Sequence, residues 1–175
     1  MEIYTNPYET LHIKSDNFDF SKGLVHYDND LEKFQIEMIG LMETASGIGL
    51  AANQVGITKR FFAIGNGRDF KTFANPIVVW NPEVVESSEE QVIDIEGCLS
   101  FPDVWVEVKR PKVVTVKWQD ITGKEQTAEL DNIESKCFQH ECDHLDGITF
   151  NKRVSKLKWD MAKKKSEKIK KELGR

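Results

Sequence analysis

Three features of this 175-residue chain predict an α+β fold. One segment near the start has helical apolar spacing, a run of later segments alternates with period two, and a His-Glu-x-x-His segment follows them. The expected architecture is antiparallel β-sheets packed around a central metal-binding His-Glu-x-x-His helix. An N-terminal helix precedes the sheets and a basic C-terminal helix ends the chain.

The composition is that of a globular protein, with 39% hydrophobic and 30% charged residues. No apolar run approaches the ~20 residues that span a bilayer, so no membrane partner is expected. The start, Met1-Glu2-Ile3-Tyr4, has neither the basic nor the apolar region of a signal peptide. Three cysteines, an odd number, argue against a disulfide framework and for a reducing, cytoplasmic compartment in which a thiolate could ligate metal. The net charge of −5 is unevenly spread: residues 152–175 carry 11 Lys/Arg against 3 Asp/Glu, leaving 13 against 26 for residues 1–151. The chain therefore reads as an acidic body, 1–151, and a basic helical tail, 152–175.

Residues 1–30 carry turn signals, Asn6-Pro7 and Asp28-Asn29-Asp30, and the second cluster is placed to cap a helix. Leu31, Phe34, Met38, Leu41 and Met42 then recur at helical spacing, up to a stop near Ser46-Gly47. Strands are predicted at Phe61–Ile64, Ile77–Trp80, Val104–Val108 and Val113–Trp118. Asp120-Ile121-Thr122-Gly123 then turns into a further strand through residues 125–130. Asp131 with Glu134 resembles a capping box ahead of the central helix, and Gly147 stands where its C-cap falls. In the tail, Val154, Leu157 and Met161 form an apolar stripe that Ile169 and Leu173 resume among lysines.

On the central helix, His140 and His144 are four residues apart and share a face with Cys137 and Glu141. Two imidazoles at that spacing can hold one metal ion, and the adjacent Glu141 carboxylate can serve as general base. A catalytic site needs a third protein ligand. Cys98, within Glu96-Gly97-Cys98-Leu99-Ser100, is favoured, because Cys137 would crowd three ligands onto one helix and Cys142 lies on another face. The Gly47-Ile48-Gly49-Leu50-Ala51-Ala52-Asn53-Gln54 segment has a third glycine replaced by Ala52 and a helix before it, which argues against dinucleotide binding. A tight structural loop and a cleft wall presenting Gln54 both remain open for it.

Together the segments 47–54, 96–100 and 139–144, in this order, resemble the three signature motifs of peptide deformylases, over roughly residues 30–155. The resemblance implies metal-dependent hydrolysis of the N-formyl group from N-formylmethionine at the start of newly synthesised polypeptides, releasing formate. It implies that Cys98, His140 and His144 are metal ligands, Glu141 the base, and Gln54 with the Leu99 backbone N–H the oxyanion donors. Ile48, Ile133, Cys137 and the aliphatic part of His140 would line the methionine pocket, the Ile48 and Gly49 backbones would align the substrate as an added strand, and Glu96 with Arg110 would brace the Cys98 loop beside Gly47 and Gly97. The donor set by itself suggests Zn²⁺; the resemblance implies Fe²⁺, replaceable by Zn²⁺, Ni²⁺ or Co²⁺. The plain expectation is a monomer whose Lys-rich tail docks on the ribosome. A zincin-type endopeptidase shares His-Glu-x-x-His, but this chain has no His downstream of His144 to serve it. A non-catalytic module that binds RNA or ribosome through the tail is the other rival.

Overall fold

The computed structural model describes residues 1–24, 27 and 29–172; Asp28 of the expected capping cluster and Leu173 of the tail stripe lie outside them. Three α-helices and seven strands follow in the order α1 (Leu31–Thr44), β1 (Gly49–Ala51), β2 (Phe61–Ile64), β3 (Ile77–Ser87), β4 (Gln91–Cys98), β5 (Phe101–Pro111), β6 (Val114–Gln119), β7 (Glu125–Leu130), α2 (Asn132–Leu145) and α3 (Lys156–Glu172). One sheet has the order β1-β2-β3-β6-β7 and the other pairs β4 with β5. Every strand pair is antiparallel.

Local chemistry explains most boundaries. Asp30 caps α1 by accepting from the Lys33 N–H at 2.9 Å, and the chain leaves the helix through Ser46 at φ 58. The buried face of α1 is Phe34, Met38 and Met42. At the β6–β7 turn, the Asp120 carboxylate accepts from the Thr122 and Lys124 N–H groups, and Gly123 takes φ +81, where a side chain would be strained. Two strands escaped the sequence reading. β1 is only three residues long, and β4 turns its isoleucines outward, with Ile93 and Ile95 more than 60% exposed.

Helix α2 is buried on all sides, with no exposed residue from Cys137 to Leu145. Its apolar anchor is Phe138, edge-on to Phe62 with centroids 5.0 Å apart and stacked over Phe73. The capping box expected at its start is absent: Asp131 makes no side-chain cap bond. Glu134 turns away instead and accepts from the Phe73 and Lys71 N–H groups at 2.7 and 3.0 Å, tying the 70–73 loop to the helix. At the other end Gly147, at φ +69, lets the chain double back over α2, with the Ile148 N–H donating to Asp143 O at 2.9 Å.

The tail helix buries a different face from the stripe read in the sequence. Leu157 and Met161 are exposed, while Val154, just ahead of the helix, joins Trp159 and Ala162 in packing on a second small core of Phe101, Val106, Val108 and Phe150. The Trp159 ring meets Phe101 and Phe150 at centroid distances of 5.6 and 5.4 Å. That aromatic cluster sets the rotation of α3, because it buries more area than the aliphatic stripe could. Truncating Phe138 to Ala is expected to destabilise the metal-loaded protein by about 3–5 kcal/mol in denaturant unfolding, since neighbouring rings on two elements would face the void.

Candidate active site

The site forms where α2 passes between β4 and the segment that leads into β1. His140 and His144 point one flank of α2 at β4, whose alternate residues Glu96 and Cys98 face the helix. Glu96 Oε2 lies 2.9 Å from His140 Nδ1, which leaves Nε2 as the free donor. Cys98 Sγ lies 3.2 Å from His144 Nε2. The Cys98 sulfur and one nitrogen from each imidazole all fall within 4.8 Å of one another. A thiolate and two imidazoles with space for a fourth ligand is a donor set suited to a divalent cation, with the Glu96 carboxylate orienting one ring.

The other flank of α2 carries Cys137 and Glu141, which face the β1 side. Cys137 Sγ donates to Ile48 O at 3.4 Å, and the Glu141 carboxylate lies against Gly49, where any Cβ would overlap it. Gly49 is therefore glycine because a carboxylate occupies the space of its side chain. Glu141 Oε2 is buried and has no hydrogen-bond partner among the described residues. Burial pushes its carboxyl up to about 7, the range in which a carboxyl can exchange protons at neutral pH. β1 lies at a sheet edge, paired only with β2, so its outer side can take an added strand.

Gln54 stands in a 3-10 turn directly after β1. Its carbonyl accepts from the Ala51 N–H at 2.8 Å, and its amide donates to Ser100 Oγ at 3.0 Å and lies 3.7 Å from the Cys98 sulfur. Ser100 in turn donates to Tyr4 O at 2.8 Å, so the N-terminal segment braces both loops. Leu99 occupies the turn between β4 and β5 and lies over Gly47, where a Cβ would stand 2.8 Å from its Cδ1. Gly97 is roofed by the Trp105 ring, which a Cβ would meet at 2.7 Å. Ile133 and Ile48, both half-buried, pack at the edge of the main core.

Beneath the site runs a buried charge network. Arg110 pairs with both Glu96 oxygens, at 2.5 and 3.0 Å, and with Asp143 at 2.9 Å. Arg153 also clamps Asp143. Burial alone would push the Glu96 carboxyl up, but the His140 and Arg110 hydrogen bonds and the Arg110 charge hold it down at about 2. Burial also presses on both imidazoles. At His140 the hydrogen bonds to Cys98 and Glu96 overcome it and raise the ring's pKa well above the ordinary value. At His144 burial is not offset, and the ring's pKa is held well below its own ordinary value. Ser100 and Asp143 were not singled out in the sequence, although both lie inside its motifs. Asn53, whose side-chain amide donates to His144 O, gave no separate signal.

A polypeptide deformylase model matches residues 1–160. The chain belongs to the polypeptide deformylase family. It is 42% identical to the peptide deformylase of Bartonella quintana over 154 residues, 88% of this chain and 87% of the relative. Among solved structures it resembles the peptide deformylase of Thermotoga maritima, with TM-score 0.76 and 35% identity over 88% of this chain and 97% of that one. It likewise resembles a Synechococcus elongatus peptide deformylase in complex with actinonin, with TM-score 0.81 and 31% identity over 95% and 86%. Polypeptide deformylases are metal-dependent hydrolases of the formyl amide on N-formylmethionyl polypeptides, and this chain is one of them. Among the described residues no helix is long and apolar enough to cross a membrane.

The contact between Gly49 and Glu141 yields a specific expectation for this deformylase-family site. Gly49→Ala should lower kcat/KM for formyl-peptide hydrolysis by about 10²-fold, the scale set by moving a reacting group about 1 Å. Metal content per chain, read by elemental analysis, should stay unchanged, because the displaced carboxylate is not among the three clustered donors.

Proposed function

We propose that Cys98, His140 and His144 hold one divalent cation and that Glu141 is the proton-transfer residue of formyl-peptide hydrolysis. The observation that carries this is the convergence of those three donor atoms within 4.8 Å beside a buried carboxylate with a free oxygen. Bound there, the cation supplies Lewis-acid polarisation and makes a nearby water acidic enough to react near neutral pH. Glu141 takes that water's proton, and the hydroxide so formed attacks the formyl carbon. Gln54, already aimed at the Cys98 sulfur, and the Leu99 N–H donate to the oxyanion that develops on the formyl oxygen. Glu141 then delivers its proton to the leaving amine, so that formate and a free N-terminus separate. The edge of β1 aligns the peptide as an added strand, and Ile48, Gly49, Ile133 and Cys137 surround the methionine side chain. Glu96 and Arg110 keep the Cys98 loop in register with α2, and Gly47 and Gly97 let it lie close. Fe²⁺ is the native ion, with Zn²⁺, Ni²⁺ or Co²⁺ able to replace it, and the working compartment is a reducing cytoplasm.

Anaerobically purified, Fe²⁺- or Ni²⁺-loaded protein should release formate from a formyl-Met tripeptide. Glu141→Ala should lose at least about 10²–10⁴-fold in kcat with metal content unchanged, the range set by removing one general base. Cys98→Ala should lose the metal itself. A loaded wild type that releases no formate would leave a non-catalytic binding module in its place.

The chain acts as a monomer, and residues 152–175 dock it on the ribosome through the lysines of α3. Trp159 and Ala162 are committed to the fold, so deletion of the tail would expose Phe101 and Phe150. Charge reversal at Lys164 and Lys165 is the cleaner test, since both side chains are exposed. Co-sedimentation with ribosomes at low salt should weaken in Lys164→Glu/Lys165→Glu, and the wild type's affinity should fall with rising salt. Equal affinity of the two proteins would sink the docking role.

A further inference from the structure

Helix α2 and strand β4 are in step along more of their length than the metal ligands require. Four residues of helix advance about 6 Å, and two residues of strand about 6.6 Å. His144 meets Cys98, and one step back His140 meets Glu96. One further step back Lys136 meets Asp94 as an ion pair. This third rung lies on the side of the site away from His144. There the other flank of α2 presents Ile133 and Cys137, and Cys137 touches Ile48. With Ile48, Ile133 and Cys137 assigned above to the methionine pocket, the Lys136–Asp94 pair stands on its β4 side, one rung beyond His140 and Glu96.

Such a wall differs from an apolar one in chemistry. The Lys136 side chain is 14% exposed and its ammonium has three N–H donors, of which the bonded acceptor among the described residues is Asp94. The Lys136 hydrogen bond holds the Asp94 carboxyl below its ordinary value. A polar atom entering a wholly apolar pocket loses its water without return. Here a ligand acceptor would meet an ammonium donor.

We propose that the Lys136–Asp94 pair is a specificity-determining wall of the side-chain pocket. It lets the site deformylate peptides whose first side chain ends in a hydrogen-bond acceptor, methionine sulfoxide being the case with methionine's own length. The inference rests on the pocket assignment made under the proposed function. Because the pair is neutral as a whole, an uncharged acceptor is favoured over a carboxylate.

The metal-loaded enzyme can be given formyl-Met-Ala-Ser and the same tripeptide with methionine sulfoxide. The two peptides without their formyl groups serve as ligands for calorimetry. The wild type should process both, with a sulfoxide-to-thioether ratio of kcat/KM above roughly one tenth. Lys136→Met, which keeps the stem and removes the donors, should lower that ratio by about tenfold or more, with a matching change in the ratio of Kd values. Lys136→Arg should keep it within about threefold of the wild type, because donors remain. Reading a ratio cancels any general loss of activity in a variant. Unchanged ratios in Lys136→Met overturn the proposal. So does a wild type that deformylates formyl-Met yet neither binds nor processes the sulfoxide peptide. Failure on formyl-Met itself would instead strike the underlying assignment of the site.

Discussion

The buried ion network of Glu96, Arg110 and Asp143 is the constraint on which the site depends. It joins a strand to the flank of α2, and all three side chains are at least nine-tenths buried. Removing any member would strand a charge in a dry interior, which is far more damaging than loss of an exposed pair. Its geometric effect matters as much as its energy. With Arg110 gripping both Glu96 oxygens, Glu96 can present one of them to His140 and fix which nitrogen that ring turns to the centre. The position of Cys98, two residues on, follows from the same strand register.

Close approach on the opposite flank is controlled by absent side chains. Gly49 yields its side-chain space to the Glu141 carboxylate, and Gly47 and Gly97 yield theirs to Leu99 and Trp105. The carboxylate is thereby packed between helix and strand, away from bulk water, and burial raises its proton affinity. The mobility that glycine adds to the unfolded chain is the accompanying cost. Gln54 is held equally firmly, through Ser100 and the N-terminal segment, so the polar groups around the cleft are pre-positioned by packing. Pre-positioned dipoles are the form of stabilisation that hydrolysis of an amide can use most.

The helices α1 and α2, the strands β2, β5, β6 and β7, the first half of β3 and the hairpin turn at Gly123 were legible because their apolar periods and turn residues speak locally. β3 runs on through Asn81-Pro82 to Ser87, beyond the end at Trp80 expected from the sequence. β4 was not legible, because the rule that apolar residues face inward is inverted there: Asp94, Glu96 and Cys98 face the helix and Ile93 and Ile95 face out. A strand that serves a polar site carries the opposite pattern from one that serves a core. Glu134 misled for a related reason. Its place three residues after Asp131 is that of a capping partner, yet a loop distant in sequence offered it two N–H groups. For α3, aromatic packing of Trp159 against Phe101 and Phe150 outweighed the aliphatic stripe of Leu157 and Met161.

The sequence by itself determined the fold class, the family, and the residue types that chemistry at this site requires, because residue spacing within each of three short segments is a local property. Only the tertiary structure decided how those segments meet. It set β4 against α2 so that two strand residues match four helix residues, buried Glu96 with Arg110 and Asp143, and placed Lys136 opposite Asp94. It also turned Gly49 toward Glu141. These contacts join residues more than a dozen positions apart, and their geometry depends on strand register and helix rotation, which are settled by packing the whole core at once.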